Sequence, residues 1–152
     1  MSIKIGDQCP NFELLNQFGE KVAINNFIGK QNLVIYFYPK DDTPGCTKQA
    51  CSFRDTFETF VDQGAMVIGI SSDSVTKHSN FAKKYNLQFP LLADEKKHVR
   101  KLFGVPTNLL GLIPGRVTYI VDKKGIVQGV FNSQLDVEQH VEEALKVLKG
   151  LE

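Results

Sequence analysis

The chain has 152 residues, 42% apolar and 23% charged, with a net charge of +1. That balance gives no electrostatic case for nucleic acid or an anionic membrane as a partner, and no segment approaches the ~20 apolar residues of a membrane span. The length fits one domain over residues 1–152, large enough to fold around its own core without a metal or a structural disulfide.

Met1 to Asp7 lack the apolar run of a signal peptide and the Arg/Ser bias of a transit peptide, so a cytoplasmic home is expected. In such a reducing compartment, a close pair among the three cysteines points to catalysis or metal binding rather than to a disulfide framework.

In chain order, Asn11 to Ile24 reads as a hairpin around Gln17-Phe18-Gly19-Glu20. Leu33 to Tyr38 is a continuous apolar run ending at Pro39, the pattern of a strand buried on both faces. The turn-rich Asp41-Asp42-Thr43-Pro44-Gly45 follows, with Thr43 as a helix cap and Pro44 at the first helical position. Ala50, Phe53, Phe57, Phe60 and Val61 then predict one amphipathic helix over 46–62, ended by Gln63-Gly64. Ala65 to Ile70 is a second buried strand. Ser74 or Thr76 starts a helix running to Tyr85. Phe89 to Leu92 is a short strand, and His98 to Phe103 a short helix. Leu109 to Gly115 is a loop. Val117–Val121 and Ile126–Phe131 flank the turn Asp122-Lys123-Lys124-Gly125 as a hairpin, and Val137 to Lys149 closes the chain as a helix. Buried strands alternating with helices predict an α/β fold, a sheet with helices on both faces.

The chemistry concentrates at Cys46. It falls in the first turn of a predicted helix, directly after a buried strand, where free amide groups and the helix dipole favour a thiolate. A thiolate is the form that reacts with a peroxide oxygen, giving a sulfenic acid first. Asp41 and Asp42 would oppose that charge if they pointed inward. They are expected to face solvent, with a cation from elsewhere in the chain balancing the thiolate. Cys51 lies five positions on. In an intact helix those steps turn about 500° and rise about 7.5 Å, leaving the Cα atoms roughly 9 Å apart. A disulfide needs less than about 7 Å, so pairing requires the first turns to unwind. The residues alone leave two readings open, a nucleophile or a small buried hydrophobe. Zinc fits less well, since Cys-x4-Cys is a poor ligand spacing and His78, His98 and His140 do not cluster.

The run from Tyr36 to Asp55, with Pro39, Thr43 and Cys46 in a Pro-x-x-x-Thr-x-x-Cys pattern, closely resembles the active-site segment of peroxiredoxins. A second cysteine five residues on, Cys51, resembles the PrxQ, or bacterioferritin comigratory protein, subfamily. Gly6 to Phe12 is similar to the family's N-terminal segment, with Cys9 where a small residue is usual, and Arg116 to Asp122 is similar to the strand that carries its arginine.

The resemblance implies a thioredoxin-like fold with an N-terminal hairpin extension and a central mixed sheet. It implies an atypical two-cysteine thiol peroxidase acting on hydrogen peroxide and organic hydroperoxides. By this matching Cys46 is peroxidatic and Cys51 resolving, through an intramolecular disulfide. Thr43 bonds the thiolate and peroxide, Pro39 shields the site from water, and Arg116 is the cation. Thioredoxin or a similar dithiol is the implied reductant, the implied state is a monomer, and no metal, haem or flavin is implied. A protein thiol–disulfide oxidoreductase or a non-catalytic redox sensor would share the fold without needing the peroxide pocket. Cys9 reads as a packing residue, and Arg54 as the partner of an acidic neighbour.

Overall fold

The structure is a computed structural model describing residues 2–108 and 113–151. An N-terminal hairpin of β1 (Glu13–Leu15) and β2 (Lys21–Ala23) leads through a single 3-10 turn to β3 (Asn32–Phe37). Then come α1 (Pro44–Asp55), α2 (Phe57–Asp62), β4 (Ala65–Ser71), α3 (Val75–Tyr85), β5 (Leu91–Ala93) and α4 (His98–Phe103). Two short paired strands, β6 (Thr107–Asn108) and β7 (Ile113–Pro114), precede the hairpin of β8 (Val117–Val121) and β9 (Val127–Asn132), and α5 (Val137–Gly150) ends the fold. Part of the expected loop over 109–115, residues 109–112, lies outside the described residues.

The described residues form a seven-stranded mixed sheet in the order β2-β1-β5-β4-β3-β8-β9. β3 is central, parallel to β4 and antiparallel to β8. Every residue of β3 is buried, and alternation divides its side chains between two cores. Val34 and Tyr36 face a core shared with Phe53, Phe60, Phe81 and Val141, contributed by α1, α2, α3 and α5. Leu33, Ile35 and Phe37 face the other, which holds Cys9, Phe12, Val99 and Phe103 beneath α4 and the N-terminal segment. Helices on both faces of a mixed sheet, with a hairpin extension, are the expected architecture. Cys9 is a packing residue, and burial pushes its thiol up to about 12.

Some boundaries differ from expectation. The single helix over 46–62 is two helices broken at Thr56, whose φ of −105° and ψ of 5° leave the helical region. The Thr56 hydroxyl donates back to the Ser52 carbonyl at 2.9 Å, a bond that competes with the helical pattern and bends the chain. Apolar spacing continues across the break, so periodicity alone cannot reveal it. The cap of α3 is Ser74, whose Oγ accepts from the Lys77 amide at 3.2 Å. The strand expected over 89–92 begins only at Leu91.

His140, from α5, is fully buried. Its Nε2 donates to the Ser133 carbonyl at 2.8 Å, so Nδ1 accepts from the Thr118 hydroxyl at 2.7 Å. Burial disfavours the imidazolium and pulls the pKa from 6.5 down to about 4. The unfolded chain therefore binds more protons between those two values. The contribution of this histidine to stability is full above pH 6.5 and is lost as pH falls toward 4, by about 3 kcal/mol in all. In urea unfolding across that pH range, His140→Gln should show a shallower loss of stability than the wild type. Parallel profiles would contradict this account.

Candidate active site

The site is assembled where the chain leaves β3. Backbone pairing of β3 with β8 ends at Phe37 opposite Val117, so the segment after Phe37 and the residue before Val117 emerge side by side. The first carries Pro39, half-buried in a bend, and then the turn into α1. The second is Arg116. A register set by the sheet thus brings together residues that are far apart in sequence.

Pro44, Gly45 and Cys46 are the first three residues of α1. Pro44 has no amide to leave unpaired, and its ring presets the helical φ. The hydrogen bond from the Thr47 amide to the Thr43 carbonyl, at 2.8 Å, begins the helical ladder. The Gly45 and Cys46 amides lie ahead of it at the positive end of the helix dipole. Thr43 occupies the cap position, but its side chain does not cap. Its hydroxyl donates to the Lys40 carbonyl at 2.8 Å and tightens the turn instead. Cys46 is 1% exposed and belongs to the core that holds Tyr36, Tyr38 and Val141, whereas Cys51 is half-buried. Both thiols are free and both lie within the helical span of α1, which by helical geometry keeps their Cα atoms about 9 Å apart.

Arg116 is 4% exposed and held at two points. Its Nε donates to the Gln134 carbonyl at 3.1 Å and its Nη1 to Gln49 Oε1 at 2.6 Å. It packs on the first turn of α1, since a Cβ added at Gly45 would come within 3.1 Å of its Nη2. A side chain at position 45 would press on the guanidinium, so glycine suits this close approach. Gln49 was not singled out from sequence, where it reads as an ordinary polar helix residue. It is fully buried one turn beyond Cys46, and because arginine only donates, its carbonyl end must face Arg116. Its Nε2 has no protein partner among the described residues.

Asp41 departs from expectation. Asp42 does face solvent, paired with Lys84 Nζ at 3.0 Å and accepting from the Tyr85 hydroxyl at 3.0 Å. Asp41 instead turns inward and is 8% exposed. It accepts from the Tyr38 hydroxyl, and its amide donates to Asp73 Oδ2 at 2.8 Å. Its other oxygen lies 2.6 Å from His78 Nδ1, while His78 Nε2 must donate to the Leu92 carbonyl at 3.0 Å. A contact that close between Nδ1 and a carboxyl oxygen needs a proton, so Asp41 and His78 share one. The carboxyl is held inside the fold by nearby Tyr38 and by His78, which the sequence does not place near it. Arg54 pairs with Asp55 at 2.9 Å and also donates to the Tyr85 carbonyl. Among the described residues no group of three or more His, Cys, Asp and Glu is arranged to hold a metal ion.

Residues 5–130 match the model of the AhpC/TSA family. "Peroxiredoxin Q, chloroplastic" of Triticum aestivum is 53% identical over 96% of this chain and 67% of its own length. The protein of the same description from Sedum lineare is also 53% identical, over 96% of this chain and 78% of its own. Among solved structures, peroxidoxin BcpB from Mycobacterium tuberculosis superposes with a TM-score of 0.91 at 36% identity, covering 99% of both chains. Xanthomonas campestris bacterioferritin comigratory protein, described with reference to alkyl peroxide reduction, gives 0.84 at 31% identity over 92% of this chain and 91% of that one.

The anchoring of Arg116 can be tested without an activity assay. Gln49→Leu leaves Nη1 buried without its acceptor and should lower unfolding stability by about 2 kcal/mol, the worth of a hydrogen bond to a charged group. It should also slow alkylation of Cys46 by iodoacetamide. A variant with wild-type stability and alkylation rate would show that Gln49 does not hold the arginine.

Proposed function

The chain belongs to the AhpC/TSA family, as a peroxiredoxin of the PrxQ, or bacterioferritin comigratory protein, type, and from that premise we propose the catalytic cycle that its residues carry out. It is a thiol peroxidase, with a peroxide as oxidant and a thiol as reductant. In the proposed cycle the Cys46 thiolate attacks the terminal oxygen of hydrogen peroxide or an organic hydroperoxide. The O–O bond breaks, sulfur keeps the terminal hydroxyl as a sulfenic acid, and the other oxygen leaves as water or an alcohol after taking a proton. The alkyl peroxide reduction named for the Xanthomonas campestris protein supports including organic substrates.

One observation carries this reading: Arg116 lies against the first turn of α1, held there by Gln49 and Gln134. A fixed guanidinium beside the helix start stabilises both the thiolate and the charge that develops on the leaving oxygen. Thr43 sits one turn before Cys46 and is proposed to swing its hydroxyl toward the sulfur and peroxide once substrate enters. Pro39 covers the approach and limits water.

Cys51 is the proposed resolving residue. The two cysteines share one helix, so the first turns of α1 must open before the sulfurs meet. The disulfide forms as Cys51 displaces the sulfenic hydroxyl as water, and a dithiol reductant, proposed to be thioredoxin, restores both thiols by exchange. The proposed working form is a cytoplasmic monomer.

The two steps separate experimentally. Cys46→Ser should abolish peroxide consumption, and retained turnover would exclude this residue as the nucleophile. Cys51→Ser should reduce one equivalent of peroxide and then stop. Peptide mapping of the oxidised wild type under non-reducing conditions should find a Cys46–Cys51 bond. Finding neither cysteine in a disulfide would eliminate the resolving role.

A further inference from the structure

A second arginine lies under the same site. Arg100, in α4, is 6% exposed. Its Nη2 donates to the Tyr38 carbonyl and its Nη1 to the Gly115 carbonyl, both at 3.0 Å. Its guanidinium carbon sits 5.6 Å from the centre of the Phe37 ring. Tyr38 is the first residue beyond β3, and Gly115 directly precedes Arg116. Arg100 therefore spans the two strands just past the last backbone pair, Phe37 with Val117, and acts as a side-chain rung where the ladder has ended.

Two further observations give this contact more than a packing role. The Gly115 segment has no slack, because a Cβ there would lie 2.0 Å from the Pro106 carbonyl oxygen. Residues just after α4 and a side chain of α4 thus fix the residue preceding Arg116 from two sides. The second is charge. Burial disfavours the guanidinium cation, yet arginine does not lose its proton in a protein. Among the described residues no carboxylate pairs with its guanidinium. Asp94 spends its oxygens on the Val99 and Arg100 amides, at 3.1 and 2.9 Å. The charges that favour the Arg100 cation are, in descending order, those of Asp94, Tyr119 and Cys46. Tyr36, which shares a core with Cys46, feels the charges of Asp41, Cys46, Arg116 and Cys51; Asp41 is bonded to His78, and Arg116 acts in turn on His140 of α5.

We propose that Arg100 is a positioning residue for the peroxidase site, whose forked guanidinium fixes the spacing between the Cys46 loop and Arg116 and places a second buried positive charge behind that loop. The proposal rests on the reading of Cys46 as the nucleophile, but its test reads Cys46 alkylation directly and so stands apart from the outcome of Cys46→Ser.

Arg100→Met and Arg100→Lys are compared with the wild type by the pH profile of iodoacetamide alkylation at Cys46 and by kcat/KM for peroxide. The neutral variant should shift the alkylation profile measurably to higher pH, because a buried cation behind the loop is lost. Lysine keeps the charge but cannot reach both carbonyls with a planar fork. It should retain the wild-type profile while kcat/KM falls about tenfold, since a small misplacement of a catalytic group costs that much or more. If Arg100→Met folds and is merely less stable, with an unmoved profile, the electrostatic role is overturned. If it does not fold, the lysine variant decides: a wild-type kcat/KM, or a profile displaced to higher pH, overturns the proposal.

Discussion

Where β3 and β8 run antiparallel, Phe37 faces Val117 across the last rung of the ladder, and the two chains leave the sheet side by side. One exit becomes the loop that starts α1, and the other becomes Arg116. Backbone hydrogen bonds set this register, and a slip of one residue would turn every side chain of β8 to the opposite face. The buried residues of β8, with Tyr119 in one core and Ile120 in the other, make such a slip prohibitively unfavourable. The distance from a helix start to a guanidinium is therefore guarded by the hydrophobic cores of the whole domain. Gln49, Gln134 and Arg100 refine a placement that the sheet has already made.

The charge arrangement follows the same logic. A helix start and two arginines favour an anion at Cys46, and the acidic residues that precede it are kept from opposing them. Asp42 is turned to solvent against Lys84, and Asp41 is folded inward onto Tyr38 and His78. Asp41 spends both carboxyl oxygens inside the fold, on the Tyr38 hydroxyl and on the His78 ring. It also ties the catalytic loop to α3.

The helix start at Cys46 was legible because Pro44, the strand before it and the turn residues are local signals. The buried strands were legible because two-sided burial leaves an unbroken apolar run. Arg116 could be found only through family resemblance, since no local pattern reports which loop a strand end will meet. Gln49 and Arg100 gave no signal at all: on a helix, a buried glutamine or arginine is written like an exposed one. The inward turn of Asp41 is hidden for a related reason: Tyr38 is only three residues away, but His78 of α3 and Asp73 beyond β4 meet it only in the fold. The break at Thr56 was hidden by apolar residues that keep helical spacing across it.

That break has a consequence for motion. The first hydrogen bonds of α2 run to the Thr56 carbonyl, from the Thr59 and Phe60 amides, so α2 carries its own starting turn. Opening α1 does not remove it, and Phe60 keeps its seat in the core. On the other side, the Asp41 network holds the chain before Pro44. In the proposed cycle the moving segment is then a loop clamped at both ends, not a frayed helix. Closing so short a loop removes little chain entropy. Local opening of this kind is confined to one cooperative unit, which lets the enzyme change shape at every turnover while the sheet beneath stays folded.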